Sequence, residues 1–229
     1  MRRLQIRSLS LPALAFLVFA GNAIAQDKSP ALLSTLEVRQ LVAHGEPNDH
    51  ARLSGHFTAL AERYTAEAKR HTSMSRDTVG NPSRNLTTGL SAHCARLAEL
   101  NTQSVTAVRE LATYHQKLAA GAPATAPTAG ARFNEGAGAP APTDQQLSDL
   151  AAKATTPADH RSLEQYFLAL ATRYTADAKD HVAMAQAYRG TRLAGAGVHC
   201  DRLVELSRDS AKQATEAAAM HKQLANVTR

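Results

Sequence analysis

FTALAERYTAEAKRHTSM at residues 57–74 returns as FLALATRYTADAKDHVAM at residues 167–184, identical at 12 of 18 positions with a constant offset of 110. HCARLAEL at 93–100 then matches HCDRLVEL at 199–206 at 6 of 8 positions with an offset of 106, so the first copy carries four extra residues between the two blocks. A match of this length at a fixed spacing marks a tandem duplication. The copies also share a start, Pro47 to His50 against Pro157 to His160, and an end, His115 against His221.

Each copy reads as a helical hairpin. In the first arm His50, Leu53, Phe57, Leu60, Tyr64, Glu67, His71 and Met74 recur at alternating threes and fours, the seam of a helix lying lengthwise on a partner. The return arm repeats the spacing in His93, Leu97, Leu100, Ser104, Val108, Leu111, His115 and Leu118. Gly80-Asn81-Pro82 breaks the chain between the arms of the first copy, and Gly190 with Gly195-Ala196-Gly197 does so in the second. Thr156, Pro157 and Asp159 have the spacing of a capping box with proline in the first turn, which makes Asp159 and its counterpart Asp49 caps and not catalysts. Short amphipathic segments, Leu32 to Ala43 and Asp144 to Lys153, precede the hairpins and are expected to lie across an open end of the bundle. A lone hairpin cannot enclose a core, so the expected fold is all-α: tandemly duplicated long hairpins forming a pseudo-two-fold four-helix bundle, with short extra helices before each hairpin.

Composition agrees. The 229 residues include 46 Ala, 5 Tyr, 5 Phe and no Trp, a bias toward helix and away from sheet. Arg2, Arg3 and Arg7, the apolar run Leu9 to Ala20 and Ala23-Ile24-Ala25 have the layout of a secretory signal peptide over residues 1–25. The first hairpin repeat then occupies residues 26–120, an Ala/Pro/Gly/Thr linker 121–143, and the second repeat 144–229. Three of the 26 Lys and Arg and none of the 20 Asp and Glu fall before residue 26, leaving the mature chain at 23 minus 20, or +3. That mild charge, without an aromatic-interleaved basic patch, argues against nucleic acid. Cleavage of the signal leaves no segment for stable membrane insertion, and the expected location is the periplasm or the exterior.

Nine of the ten histidines lie in the copies. Constant index sums in an antiparallel hairpin put His71 level with His93 and His50 level with His115, and likewise His181 with His199 and His160 with His221. The layer near the turns is the candidate site: Glu67, His71, Met74, His93 and Cys94, repeated as Asp177, His181, Met184, His199 and Cys200. Imidazole, thiolate and thioether suit copper, and imidazole with thiolate or carboxylate suits zinc. The competing reading is a polar layer in which Glu67 and Asp177 accept hydrogen bonds from His71 and His181 one turn later. Haem is disfavoured because CxxCH is absent, and Tyr64 and Tyr174 read as packing residues with bonded hydroxyls. The oxidising compartment favours a Cys94 to Cys200 disulfide, which excludes metal thiolates. No phosphate loop, GxSxG elbow or catalytic triad is present in the pattern. The expected function is therefore an exported, non-catalytic binding or structural module without a cofactor, partnered by an unknown protein or by itself. The alternative is a Cu or Zn binder using the layer near the turns.

Overall fold

The computed structural model describes residues 32–79, 84–120 and 142–227, except for the side chains of residues 84–88. The expected signal peptide and nearly all of the expected linker lie outside these residues. Six helices and no strand occur among them. They are α1 (Thr35–His44), α2 (Pro47–Thr78), α3 (Arg84–Leu118), α4 (Asp144–Lys153), α5 (Pro157–Tyr188) and α6 (Ala194–Val227). At about 1.5 Å per residue the 32 residues of α2 span roughly 48 Å. No helix among the described residues is long and apolar enough to cross a membrane.

Capping chemistry places the helix starts. Thr156 accepts from the Asp159 amide and Asp159 accepts in return from the Thr156 amide, closing the box at α5. At α2 the Asp49 carboxylate accepts from the Glu46 amide, so both aspartates serve as caps. Ser34 with Glu37 and Thr143 with Gln146 close the same box at α1 and α4. Gly45 ends α1 at φ 67°, a left-handed turn glycine adopts without a side-chain clash, and its amide reaches the Leu41 carbonyl.

The long helices pack in close pairs, α2 with α3 and α5 with α6, and α3 also packs on α6. Within the first pair Ser54 bonds the Ala112 carbonyl, and Ser75 and Ser91 bond each other's carbonyls, which fixes an antiparallel register with an index sum of 166. The core is built from the seam residues: Leu53, Phe57, Tyr64, Met74, Leu97, Leu111, Leu163, Phe167, Tyr174 and Leu203 are each no more than 1% exposed.

The helices α2 and α5 do not touch backbone to backbone. Long side chains bridge them, and the short helices complete the seal, since α1 and α4 each pack on both α2 and α5. Thr35 of α1 donates to Asp180 of α5, while Arg70 of α2 donates to Asp144 of α4. Thus α1 and α4 lie along the α2–α5 seam and not across an open end. The reason is length: α1 has only the Gly45-Glu46 turn before α2, and it folds back with Gly45 accepting from Arg192 beyond the end of α5.

Candidate functional site

The polar groups concentrate where α2 faces α5. Arg63 of α2 donates to Asp177 of α5 at 2.8 Å, and Arg173 of α5 donates to Glu67 of α2 at 2.7 Å. Arg63 and Arg173 occupy matched positions of the repeat, as do Glu67 and Asp177, so the two ion pairs are reciprocal. Arg70 adds a second donor to Glu67 at 2.8 Å. The carboxylate side chains are only 6% and 10% exposed, whereas those of Arg63 and Arg173 remain near a third exposed. That arrangement gives each buried carboxylate a cation whose stem packs while its head reaches water. Each guanidinium also lies over the neighbouring ring, Arg63 on Tyr64 and Arg173 on Tyr174.

Beside the ion pairs, the Tyr64 hydroxyl and His181 Nε2 bond at 2.9 Å, and Asn101 of α3 donates to the Tyr174 hydroxyl at 2.7 Å. Both tyrosines thus have the bonded hydroxyls expected of packing residues. Burial raises the Tyr64 phenol to about 12. His71, the counterpart of His181, is fully buried over the Phe167 ring and has no hydrogen bond at either nitrogen. Its Nε2 is 3.7 Å from Glu67, too far for the bond expected one turn away. Desolvation lowers His71 to about 4 and His181 to about 3, so both are neutral at pH 7. The expected His–carboxylate layer is corrected accordingly: the carboxylates turn to arginines of the opposite hairpin.

A second constellation sits at the open ends. His50 and His115 meet Nδ1 to Nδ1 at 3.1 Å, and His160 and His221 do so at 3.2 Å. The deeper ring of each pair stacks on a phenylalanine, His115 on Phe57 and His221 on Phe167, with centroids 5.7 and 5.8 Å apart. Desolvation lowers His115 and His221 to about 3. The pairs differ at their outer nitrogens. His115 Nε2 meets the Tyr188 hydroxyl at 2.7 Å, while His221 Nε2 has no partner. The residue matched to Tyr188 is Thr78, whose hydroxyl donates to the Met74 carbonyl.

No protein-family model, curated protein or solved structure matches the chain.

The expected metal layer is not assembled. Among the described residues no group of three or more His, Cys, Asp and Glu is placed to hold an ion. His71 and His93 are level but point differently: His71 faces Phe167 of α5, and His93 faces α6, where it bonds Gln213 at 2.9 Å and lies 3.8 Å from Glu216. His199 faces α3, where it pairs with Glu110 at 3.0 Å, while His181 bonds Tyr64. Met74 and Met184 are core residues. Cys94 and Cys200 are buried free thiols, each raised to about 12 by desolvation.

The expected disulfide is likewise not formed. His93 opposite Gln213 and Gln103 opposite Arg202 show that α3 and α6 run antiparallel, which puts Cys94 level with residues 211–212. Cys200 therefore lies about a dozen residues away along the pair, roughly 18 Å at 1.5 Å per residue, against the ~5.5 Å that a bridge requires. Matched positions meet only near the middle of α3 and α6, around Leu100 and Leu206.

Arg63, Arg173, Asn101 and Tyr188 were not among the candidates from sequence. For the two arginines a mark was available: each is retained in both copies four residues before the carboxylate. Asn101 and Tyr188 have no such mark, because Ser207 and Thr78 replace them in the other copy.

Proposed function

We propose that the mature chain is an exported, non-catalytic bundle of two duplicated hairpins related by a pseudo-two-fold, acting in the periplasm as a binding or structural module. The observation that carries this reading is the reciprocity of Arg63 with Asp177 and Arg173 with Glu67. Polar side chains common to both copies are spent on holding one hairpin to the other, and α1 and α4 cover them. Groups engaged in this way stabilise a fold; a reactive centre needs at least one of them free to approach a substrate.

The test is the double variant R63A/R173A. A structural layer predicts a large drop in melting temperature, because Asp177 loses its cation and Glu67 keeps only Arg70 of its own helix. A site for chemistry predicts an unchanged or raised melting temperature, as is common when strained functional groups are removed. Fractionation of expressing cells with intact-mass analysis tests the compartment, expecting a periplasmic chain that begins near Gln26.

One observation favours the second reading, transition-metal binding, at different residues from the layer near the turns. Two nitrogens 3.1 to 3.2 Å apart are spaced as adjacent ligands of one ion at about 2.0–2.1 Å from each. Equilibrium dialysis with Zn or Cu, using H115Q/H221Q as the control, decides this: retention of up to two ions per chain, lost in the variant, supports it, and no retention refutes it.

A further inference from the structure

The outer face between α2 and α3 carries an elongated groove of about 590 Å³. Lys69, Arg76 and Arg109 line it together with the hydroxyls of Thr72, Ser73 and Thr102, and no carboxylate does. All three cations are exposed, and none has an ion pair or side-chain hydrogen bond among the described residues. Several other arginines are matched with acids, as in Arg96 with Glu99, Arg189 with Asp201 and Arg202 with Glu205, and others without an ion pair among the described residues, such as Arg39, Arg52, Arg161 and Arg208, lie outside the groove. Three cations without an ion pair in one groove, with no carboxylate in its lining, are a local charge excess.

Helix geometry gives the excess a shape. Side chains lean toward the N-terminus of their own helix. Because α2 and α3 are antiparallel, Arg76 leans down the groove from the turn end while Arg109 leans up it from the opposite direction, with Lys69 between them. A row of cations fits a row of anionic groups better than one compact anion; the Thr72 and Thr102 hydroxyls already donate to the Ala68 and Ala98 carbonyls, so the cations are the groups that would face the anion.

The duplication supplies an internal comparison. The positions that match Arg76 and Arg109 are Gln186 and Thr215, and those that match Thr72 and Ser73 are Val182 and Ala183. Of the three cation positions only Lys69 keeps its residue, as Lys179, and Arg208 stands where the first copy has Thr102. The second hairpin folds without the terminal cations, so helix packing does not require them. Arg63 and Arg173, Tyr64 and Tyr174, Phe57 and Phe167, and the histidines at 50, 71, 93 and 115 with their counterparts at 160, 181, 199 and 221, in contrast, recur in both copies.

We propose that the α2–α3 groove of the first hairpin binds phosphate groups arranged in a row, as in a linear oligophosphate or the headgroups of an anionic lipid surface, and not nucleic acid, which the mild net charge and the lack of interleaved aromatics argue against. This deepens the binding-module reading by giving it a ligand class, and it rests on that reading. Free oligophosphate and the phosphates of a lipid surface share this chemistry, so both are probed. The experiment titrates the mature chain with tripolyphosphate by calorimetry at low ionic strength, and sediments it with phosphatidylglycerol vesicles. The variant R76Q/R109T places in the first copy the residues found in the second, and circular dichroism confirms its helicity. Saturable binding of either probe at one site per chain, weakened tenfold or more in the variant and suppressed by salt, is the expected result. Tripolyphosphate binding identifies the free anion as the source, and vesicle binding alone identifies headgroups. Equal binding by variant and parent, or no saturable binding of either probe, overturns the proposal. That outcome is distinguishable from failure of the binding or structural reading, which R63A/R173A tests through stability alone.

Discussion

Lowering the pH from 7.5 to 5.5 should unfold this protein or bring it close to unfolding. Five buried histidines are held well below the ordinary value of 6.5 by desolvation, His56 and His71 at about 4 and His115, His181 and His221 at about 3. Each is neutral in the folded chain at both pH values, whereas in the unfolded chain each takes up a proton as the pH falls through 6.5. The stability they contribute is therefore complete above about 6.5 and is lost progressively toward 3 to 4. Over the one unit below 6.5 each site costs about 1 to 1.5 kcal/mol, so five sites together cost up to about 7 kcal/mol. Domains of this kind are held by ~5–15 kcal/mol in total. Urea unfolding followed by circular dichroism at pH 5.5, 7.5 and 9 measures the loss directly. The midpoint should fall by half or more between 7.5 and 5.5 and change little between 7.5 and 9, with unfolding at pH 5.5 absorbing several protons. A midpoint at 5.5 equal to that at 7.5 would refute the reasoning, because it would mean that the imidazoles are charged or solvated in the folded state.

Replacing Arg63 with Ala should cost about 2–4 kcal/mol by stranding Asp177, and removing Asp177 as well should recover part of the loss; thermal melts of the single and double variants test this cycle. Tyr188→Phe should cost about 1 kcal/mol through the bond to His115, whereas Thr78→Val at the matched place removes only an intrahelical bond and should cost less. Cys94 and Cys200 should resist a thiol reagent in the folded chain, react fully in denaturant, and give the same intact mass with and without reductant. A mass two hydrogens lower without reductant would contradict the spacing worked out for α3 and α6.

What could be read from the sequence was whatever depends on height along a helix. Constant index sums placed His50 beside His115 and His160 beside His221, and capping residues fixed where α2 and α5 begin, because both are local or one-dimensional properties. What could not be read was direction around the helix axis. His71 and His93 share a level yet face different neighbours, since a sum of indices carries no information about which side a residue occupies. The cysteine pairing was hidden for a related reason: matched positions of antiparallel α3 and α6 are close only near the middle of the two helices, and where the helices pack on each other is not written in the sequence. Arg63 and Arg173 recur in both copies, but surface arginines are common and recurrence alone does not single them out. Their partners, Glu67 and Asp177, sit on the other hairpin and only tertiary packing reveals them.

The reciprocal pairing of Arg63 with Asp177 and Arg173 with Glu67 also suggests a history. A single hairpin meeting its own copy would form the same two contacts, each arginine reaching the other subunit's acid, and every residue in such a homodimer must serve both places at once. Joining the two genes end to end releases that constraint. Tyr188 can then support one histidine pair while Thr78 leaves the other bare, Asn101 can part from Ser207, and Arg76 and Arg109 can gather on one half alone. On the proposed duplicated-hairpin reading, one chain would keep the stability of such a dimer at any dilution while its two halves specialise.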